Sequence, residues 1–193
     1  MTPFFIGIAG GSGVGKTALA KELKKYFGKK ATVLHMDNYQ RFKEKLPNLC
    51  GMKNWDHPKA INWDKLLKDL ILLKNGQTIT VKLRDQKTLK KVKIASFLPS
   101  KIIIIEGYLL FYKNPIRKLM DFRIYLEASE DVRVKRRTKI KGKRGRYIKK
   151  VVLPMHYKYI EPTKKYADLA LNTDKASIKY CCEQVVRYLP NRL

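Results

Sequence analysis

Apolar positions along the chain fall into two alternating patterns, short continuous runs and stretches spaced three and four apart. Phe4 to Ala9 is a compact apolar run and predicts a first strand, closed by a loop over Gly10–Gly15. Leu19, Ala20, Leu23 and Phe27 then repeat at helical spacing, which predicts a helix over Thr17–Phe27 stopped by Gly28. Ala31–Met36 predicts the next strand. Leu66, Leu67, Leu70, Ile71 and Leu73 form one face of a helix over Asn62–Lys74, with Gly76 as its stop. Thr78–Lys93 alternates polar and apolar residues and reads as a hairpin. Ile102-Ile103-Ile104-Ile105 is a continuous β-branched run, which suits a central strand covered on both faces. Phe122–Glu127 is a further strand, and Ser129 is placed to cap a helix running to about Thr138. A basic, Gly-containing loop over Lys139–Arg146 follows. The chain then reads as helical from Tyr147 to about Ile160 except near Pro154, with a short strand at Asp168–Leu171 and a last helix at Ala176–Leu189. Strands alternating with helices predict a three-layer α/β fold, a central parallel sheet with helices on both faces.

Length and composition narrow the classes. The 193 residues, 45% of them hydrophobic, suit one globular domain spanning 1–193. No apolar run is long enough to cross a bilayer. Met1 to Gly7 has no charged region ahead of an apolar stretch and reads as the start of the fold, not as a leader. Cys50, Cys181 and Cys182 match neither a disulfide framework nor a zinc spacing, so the expected location is cytoplasmic. Lysine and arginine number 43 against 16 acidic residues, a formal charge of +27. That surface attracts polyanions, and nucleic acid is a possible secondary partner. The lysines are mostly scattered, as on a solvated surface, and the chain lacks the aromatic–basic alternation of a nucleic-acid reader.

The chemistry centres on Gly10-Gly11-Ser12-Gly13-Val14-Gly15-Lys16-Thr17, a G-x-x-x-x-G-K-[ST] sequence between a predicted strand and a predicted helix. Glycines let backbone N–H groups converge on phosphate oxygens, and the helix turns its positive end toward the same anion. Lys16 then reaches the β- and γ-phosphates of ATP, and the Thr17 hydroxyl ligates Mg²⁺. Asp37 follows the second strand, where a carboxylate can accept the proton of an attacking hydroxyl; a turn-closing aspartate is the plainer alternative. Glu106 ends the isoleucine strand and is placed to orient Mg²⁺. A basic segment from Arg133 to Lys150 reads either as a lid over phosphates or as a solvated face.

In order, these residues resemble the uridine kinase (uridine-cytidine kinase) family of P-loop kinases. The opening Gly7–Thr17, the Asn54-Trp55-Asp56-His57-Pro58-Lys59-Ala60-Ile61 segment and the Ile104-Ile105-Glu106-Gly107 strand end look like its motifs. So do Arg136-Arg137 with Arg144-Gly145-Arg146, and the run from Glu161 to Asp168. Nicotinamide riboside kinases look like the nearest neighbours, through Ile105–Tyr112 and Leu153–Tyr159. The resemblance implies a P-loop kinase fold with a small β-hairpin (about 78–94) and a basic lid (about 136–147). It implies ATP-dependent, Mg²⁺-assisted phosphorylation of a nucleoside 5′-hydroxyl, uridine or cytidine first and nicotinamide riboside second. Asp37 would be the general base, Lys16 and Thr17 would hold phosphate and metal with Glu106, and Asp56 would bind the ribose hydroxyls. Arg137 and Arg146 would contact phosphate or substrate, helped by Arg136 and Arg144, and Tyr39 would line the acceptor site. A nucleic-acid-binding protein on a kinase scaffold is the alternative of another class.

Three departures stand against the family pattern. The hairpin stretch Val81–Thr88 lacks the Tyr and His that hold the base. Thr138–Lys143 lacks a further lid arginine. The segment from Arg146 to Pro154 is about seven residues short, close to two helical turns.

Overall fold

The computed structural model describes residues 2–84, 92–141 and 145–190. Its centre is a five-stranded sheet whose paired strands all run parallel, in the order β2-β7-β1-β8-β9. These strands are β1 (Phe4–Gly10), β2 (Ala31–His35), β7 (Ile102–Glu106), β8 (Phe122–Glu127) and β9 (Leu169–Asn172). Strand β7, the four isoleucines and Glu106, is buried at all five positions, between β2 and β1. The two-residue side-chain period splits it cleanly. Ile103 and Ile105 join Phe5, Leu34 and Tyr125 in a core on one face, while Ile102 and Ile104 join Ile6, Ile8, Ile124 and Leu126 on the other.

Helix α1 (Lys16–Phe27) and helix α7 (Ile178–Tyr188) cover the second face, through Leu19, Leu23, Cys181 and Val185. Helix α2 (Trp63–Lys74) covers the first through Leu66, Leu70 and Leu73, together with the short helix α3 (Asn114–Leu119). Both covers follow from the spacing of apolar residues. The Asn62 side chain accepts the Lys65 N–H at 3.3 Å at the start of α2, and Gly76 beyond its end takes φ 75°. The hairpin is β5 (Ile79–Arg84) with β6 (Val92–Phe97), so its second strand runs four residues past the expected end. Phe97 explains the extension, since it packs on the α2 side of the core.

Two small elements were not expected. A two-residue hairpin joins β3 (Asn48–Leu49) to β4 (Met52–Lys53) through Cys50 and Gly51, at φ 51° and 74°. Helix α3 is the other. The basic segment also differs from its reading as a loop. Helix α4 (Glu130–Lys141) carries it three residues beyond the expected end at Thr138, and α5 (Gly145–Tyr147) is helical as well. Lysine and arginine have good helix propensity, so charge alone gave no reason to break the helix. From there the chain stays helical past Pro154, which lies in the short turn α6 (Leu153–Met155) between two π-type turns, Ile148–Val152 and His156–Ile160. Proline cannot donate the ordinary helical hydrogen bond, and the wider turns accommodate it. No described helix is long and apolar enough to cross a membrane.

Candidate active site

Three strand ends form the floor of the site. Glu106 at the end of β7 is in register with both Ile8 of β1 and His35 of β2. The carboxyl edge of a parallel sheet is where ligands settle in α/β folds. Above it the chain turns through Gly10 and Gly13, at φ 137° and 91°. A Cβ on Gly10 would stand 2.1 Å from the Leu126 carbonyl oxygen, and one on Gly13 would stand 2.5 Å from that of Arg133. Only glycine fits such a backbone at such distances. The loop feeds into α1, whose unsatisfied N–H groups open onto the same space.

Lys16 lies at the centre. Its ammonium donates to the carbonyls of Gly10 and Gly11 at 2.9 and 2.8 Å. Burial lowers its pKa; the charges of Glu106, Asp37 and Asp56 oppose that shift, and Arg137 adds to it. The four groups that shape its field are four of the residues picked out in the sequence. Asp37 is exposed, in the turn Met36–Tyr39 that follows β2. Asp56 is 5% exposed. Burial by itself would raise the Glu106 carboxyl, but a 2.7 Å hydrogen bond from His35 Nδ1, the charge of Lys16 and a 3.1 Å bond from the Thr17 hydroxyl outweigh it, so its pKa is lowered. His35 moves the other way, raised by the same hydrogen bond.

The basic segment closes one side. Arg137 donates to the Ser12 hydroxyl and places its other nitrogen 3.9 Å from Asp56, bridging the glycine loop and the buried carboxylate. Arg136 instead anchors the scaffold, with bonds of 3.0 and 2.8 Å to Thr173 and one of 3.5 Å to the Gly13 carbonyl. Arg146 is exposed on α5. Arg144 lies outside the described residues, as does half of the hairpin stretch that corresponds to the family's base-holding residues, 85–88 of 81–88. Tyr39 does not join the group. Its ring is packed in the core and its hydroxyl donates to Asp69 of α2 at 2.8 Å, so it supports the Asp37 turn from below and does not line the site.

Several residues here were not singled out as site residues in the sequence. Tyr147 donates to Asp56 Oδ2 at 2.8 Å and accepts the Trp55 N–H at 3.0 Å, and Tyr108 donates to the Trp55 carbonyl at 2.5 Å. Arg133 and His156 lie buried under the loop, where a Cβ on Gly11 would meet Arg133 Nη1 and His156 Nδ1 at 2.8 Å each. Burial, then Arg133 and Lys16, push the His156 pKa down to about 4, so the ring is neutral. Arg133 Nε and His156 Nδ1 are buried without a hydrogen-bond partner. Unpaired buried polar atoms beneath a glycine cradle fit an anionic ligand. For a cation, Thr17 and Glu106 supply oxygen donors. Among the described residues no cluster of three or more His, Cys, Asp or Glu stands ready to hold a metal, so a magnesium ion held here would need phosphate oxygens as further ligands.

Comparison with known proteins agrees with this geometry. The Phosphoribulokinase / Uridine kinase family profile matches residues 5–177. A uridine kinase of Chlamydia pneumoniae is 37% identical over 188 residues, spanning 89% of this chain and 82% of its own. One from Brevibacillus brevis is 38% identical over 180 residues, spanning 88% and 84%. Among solved structures, a possible uridine kinase from Bacillus stearothermophilus superposes with a TM-score of 0.69 at 23% identity, covering 89% of each chain, which supports the P-loop kinase fold. With sheet order, glycine cradle and sequence match in accord over nearly its whole length, the chain belongs to the phosphoribulokinase / uridine kinase family.

Proposed function

We propose that this phosphotransferase is a nucleoside kinase that moves the γ-phosphoryl group of ATP onto the 5′-hydroxyl of uridine or cytidine. The observation that carries the reading is the convergence of Asp37, Asp56, Glu106 and Arg137 on Lys16 at the carboxyl edge of the sheet. A hydrolase needs one acid beside a phosphate cradle; two further carboxylates suit a second substrate with hydroxyls to hold and to deprotonate.

Bound Mg-ATP supplies the transferable phosphoryl group and part of its charge neutralisation. The residues 10–17 hold the phosphates, with Lys16 leaving the Gly10 and Gly11 carbonyls to meet them and with Arg133 beneath. Thr17 and Glu106 hold the cation. Asp37 accepts the proton of the acceptor hydroxyl at its carboxylate. Asp56, fixed by Tyr147, binds the ribose hydroxyls. Arg137 spans the phosphate and acceptor halves and neutralises charge between them, and Arg146 and Arg144 complete the lid. Arg136 serves the lid by pinning α4 to the loop after β9.

The test is ADP release with Mg-ATP across uridine, cytidine, adenosine, guanosine, nicotinamide riboside, pantothenate and no acceptor. Stimulation by uridine or cytidine above the rest is expected. Stimulation only by another acceptor would displace the pyrimidine reading, and release indifferent to every acceptor would displace the kinase reading.

A further inference from the structure

A recess lined by none of the cradle residues has a volume of about 520 Å³. That size holds one nucleotide-sized ligand. None of its lining residues belongs to the cradle, the acidic group or the lid arginines. The recess has two properties together. Its walls carry Trp63, Tyr112, Tyr159 and His57, and its rim carries Arg41, Lys45, Lys59 and Lys113, with no carboxylate in the lining.

The rings form a connected platform. Trp63 and Tyr112 lie 6.0 Å apart at 35°, Tyr112 and Tyr159 5.7 Å apart at 87°, and Tyr159 and His57 5.2 Å apart at 74°. Trp63 is fixed by a 2.8 Å bond from its indole N–H to the Pro58 carbonyl. His57 Nδ1 accepts the Lys59 N–H at 3.0 Å, which puts the proton of the neutral ring on Nε2, 3.3 Å from the Tyr159 hydroxyl. The platform is therefore held in place before any ligand arrives. The rim cations are less firmly held: Arg41 Nε donates to the Ile61 carbonyl at 3.3 Å and Lys113 lies 5.7 Å from the Tyr112 ring centre. Among the described residues none of the four rim cations is in an ion pair with a carboxylate, and Lys45, Lys59 and Lys113 are exposed. Concentrating uncompensated positive charge around aromatic faces costs self-repulsion, which an anionic ligand relieves.

We infer that this recess is a second nucleotide site, taking a nucleoside triphosphate with its base against the Trp63–Tyr112–Tyr159 wall and its phosphates among Arg41, Lys45, Lys59 and Lys113. A flat π-face stacks on tyrosine and tryptophan, and phosphates pair with lysine and arginine. A bare anion would use the rim and leave the rings idle; an uncharged aromatic ligand would leave the cations unpaired. The recess shares a wall with the acceptor site, because His57 faces Tyr159 while its neighbour Asp56 faces Tyr147.

The inference does not depend on which acceptor the enzyme phosphorylates, and a binding count tests it. Labelled CTP is dialysed to equilibrium against the full chain in EDTA. Two CTP per chain are expected, one in the cradle and one in the recess. Lys59→Ala with Lys113→Ala, and separately Tyr112→Leu, weaken one of the two by about tenfold or more and leave kcat measured without CTP unchanged. Lys16→Ala weakens the other. One CTP per wild-type chain, or two unweakened in the recess variants, overturns the inference. Equal recess affinity for inorganic pyrophosphate and CTP overturns it too, because the rings then contribute nothing. So does displacement by a single-stranded RNA oligomer at far lower concentration than CTP, which would make the recess a nucleic-acid platform.

Discussion

At the scale of single residues the cradle is the most legible part of the chain. Its glycines, lysine and threonine are fixed to one another by spacing, and each type answers a local need: positive φ, a cation, a hydroxyl. Lys16→Ala is expected to lower kcat by at least about a hundredfold through lost charge stabilisation, with the fold intact by circular dichroism. Asp37→Asn keeps the shape and removes the proton acceptor, so kcat falls by about a hundredfold or more while nucleotide affinity stays, as a binding titration would show. Tyr147 was not legible. It is one tyrosine in a basic stretch, and its partner Asp56 lies 91 residues away; only the folded chain brings them together. If Tyr147 positions Asp56, Tyr147→Phe raises KM for the nucleoside by about tenfold or more, the worth of one hydrogen bond to a charged group, with KM for ATP and kcat little changed. A fall in kcat with KM unmoved would place Tyr147 in the chemistry instead. Tyr39 shows the converse, since the family resemblance implied a place in the acceptor site and its ring went to the core.

At the scale of elements, the long periodic segments were readable and the short ones were not. Helix α3 has six residues, too few for a hydrophobic period. The Cys50–Gly51 turn needs positive φ at both positions, and cysteine is not a residue that announces it. Long-range anchors were equally invisible. Asp168, just before β9, takes the Arg123 N–H at 2.7 Å and its guanidinium at 2.6 and 3.0 Å, locking the edge strand to β8. The hydrogen bond from Arg123 outweighs the cost of burial and lowers the Asp168 pKa below its usual 3.8. A depressed carboxylate pKa adds stability above its unfolded value and loses it as pH falls through the folded one. Asp168→Asn is therefore expected to lower stability at pH 7 by about 1 kcal/mol, and the difference from wild type shrinks as the pH is taken well below the usual 3.8. Urea midpoints at the two pH values read both. An equal loss at both would assign the effect to packing.

At the scale of the whole molecule, the charge of +27 is the feature least tied to the catalytic reading. Part of it sits on the recess rim and part on α4, and the remainder repels itself across a surface of 11273 Å². Raising salt from low to physiological strength shortens the screening length to about 8 Å, so the melting temperature is expected to rise with sodium chloride; a fall would mean that attractive pairs dominate. The parallel sheet, the burial of both faces of β7 and the place of the cradle follow from patterns visible in the sequence, whereas the strand order and the approach of Asp56 to the field of Lys16 needed the fold. That approach underlies the central claim, phosphoryl transfer to a nucleoside 5′-hydroxyl. Its most direct test is chromatographic detection of product from uridine and Mg-ATP, with 5′-deoxyuridine in parallel. Uridine should yield uridine 5′-monophosphate in step with ADP, and 5′-deoxyuridine should yield neither. No monophosphate from uridine, or equal ADP release with both, would contradict the claim.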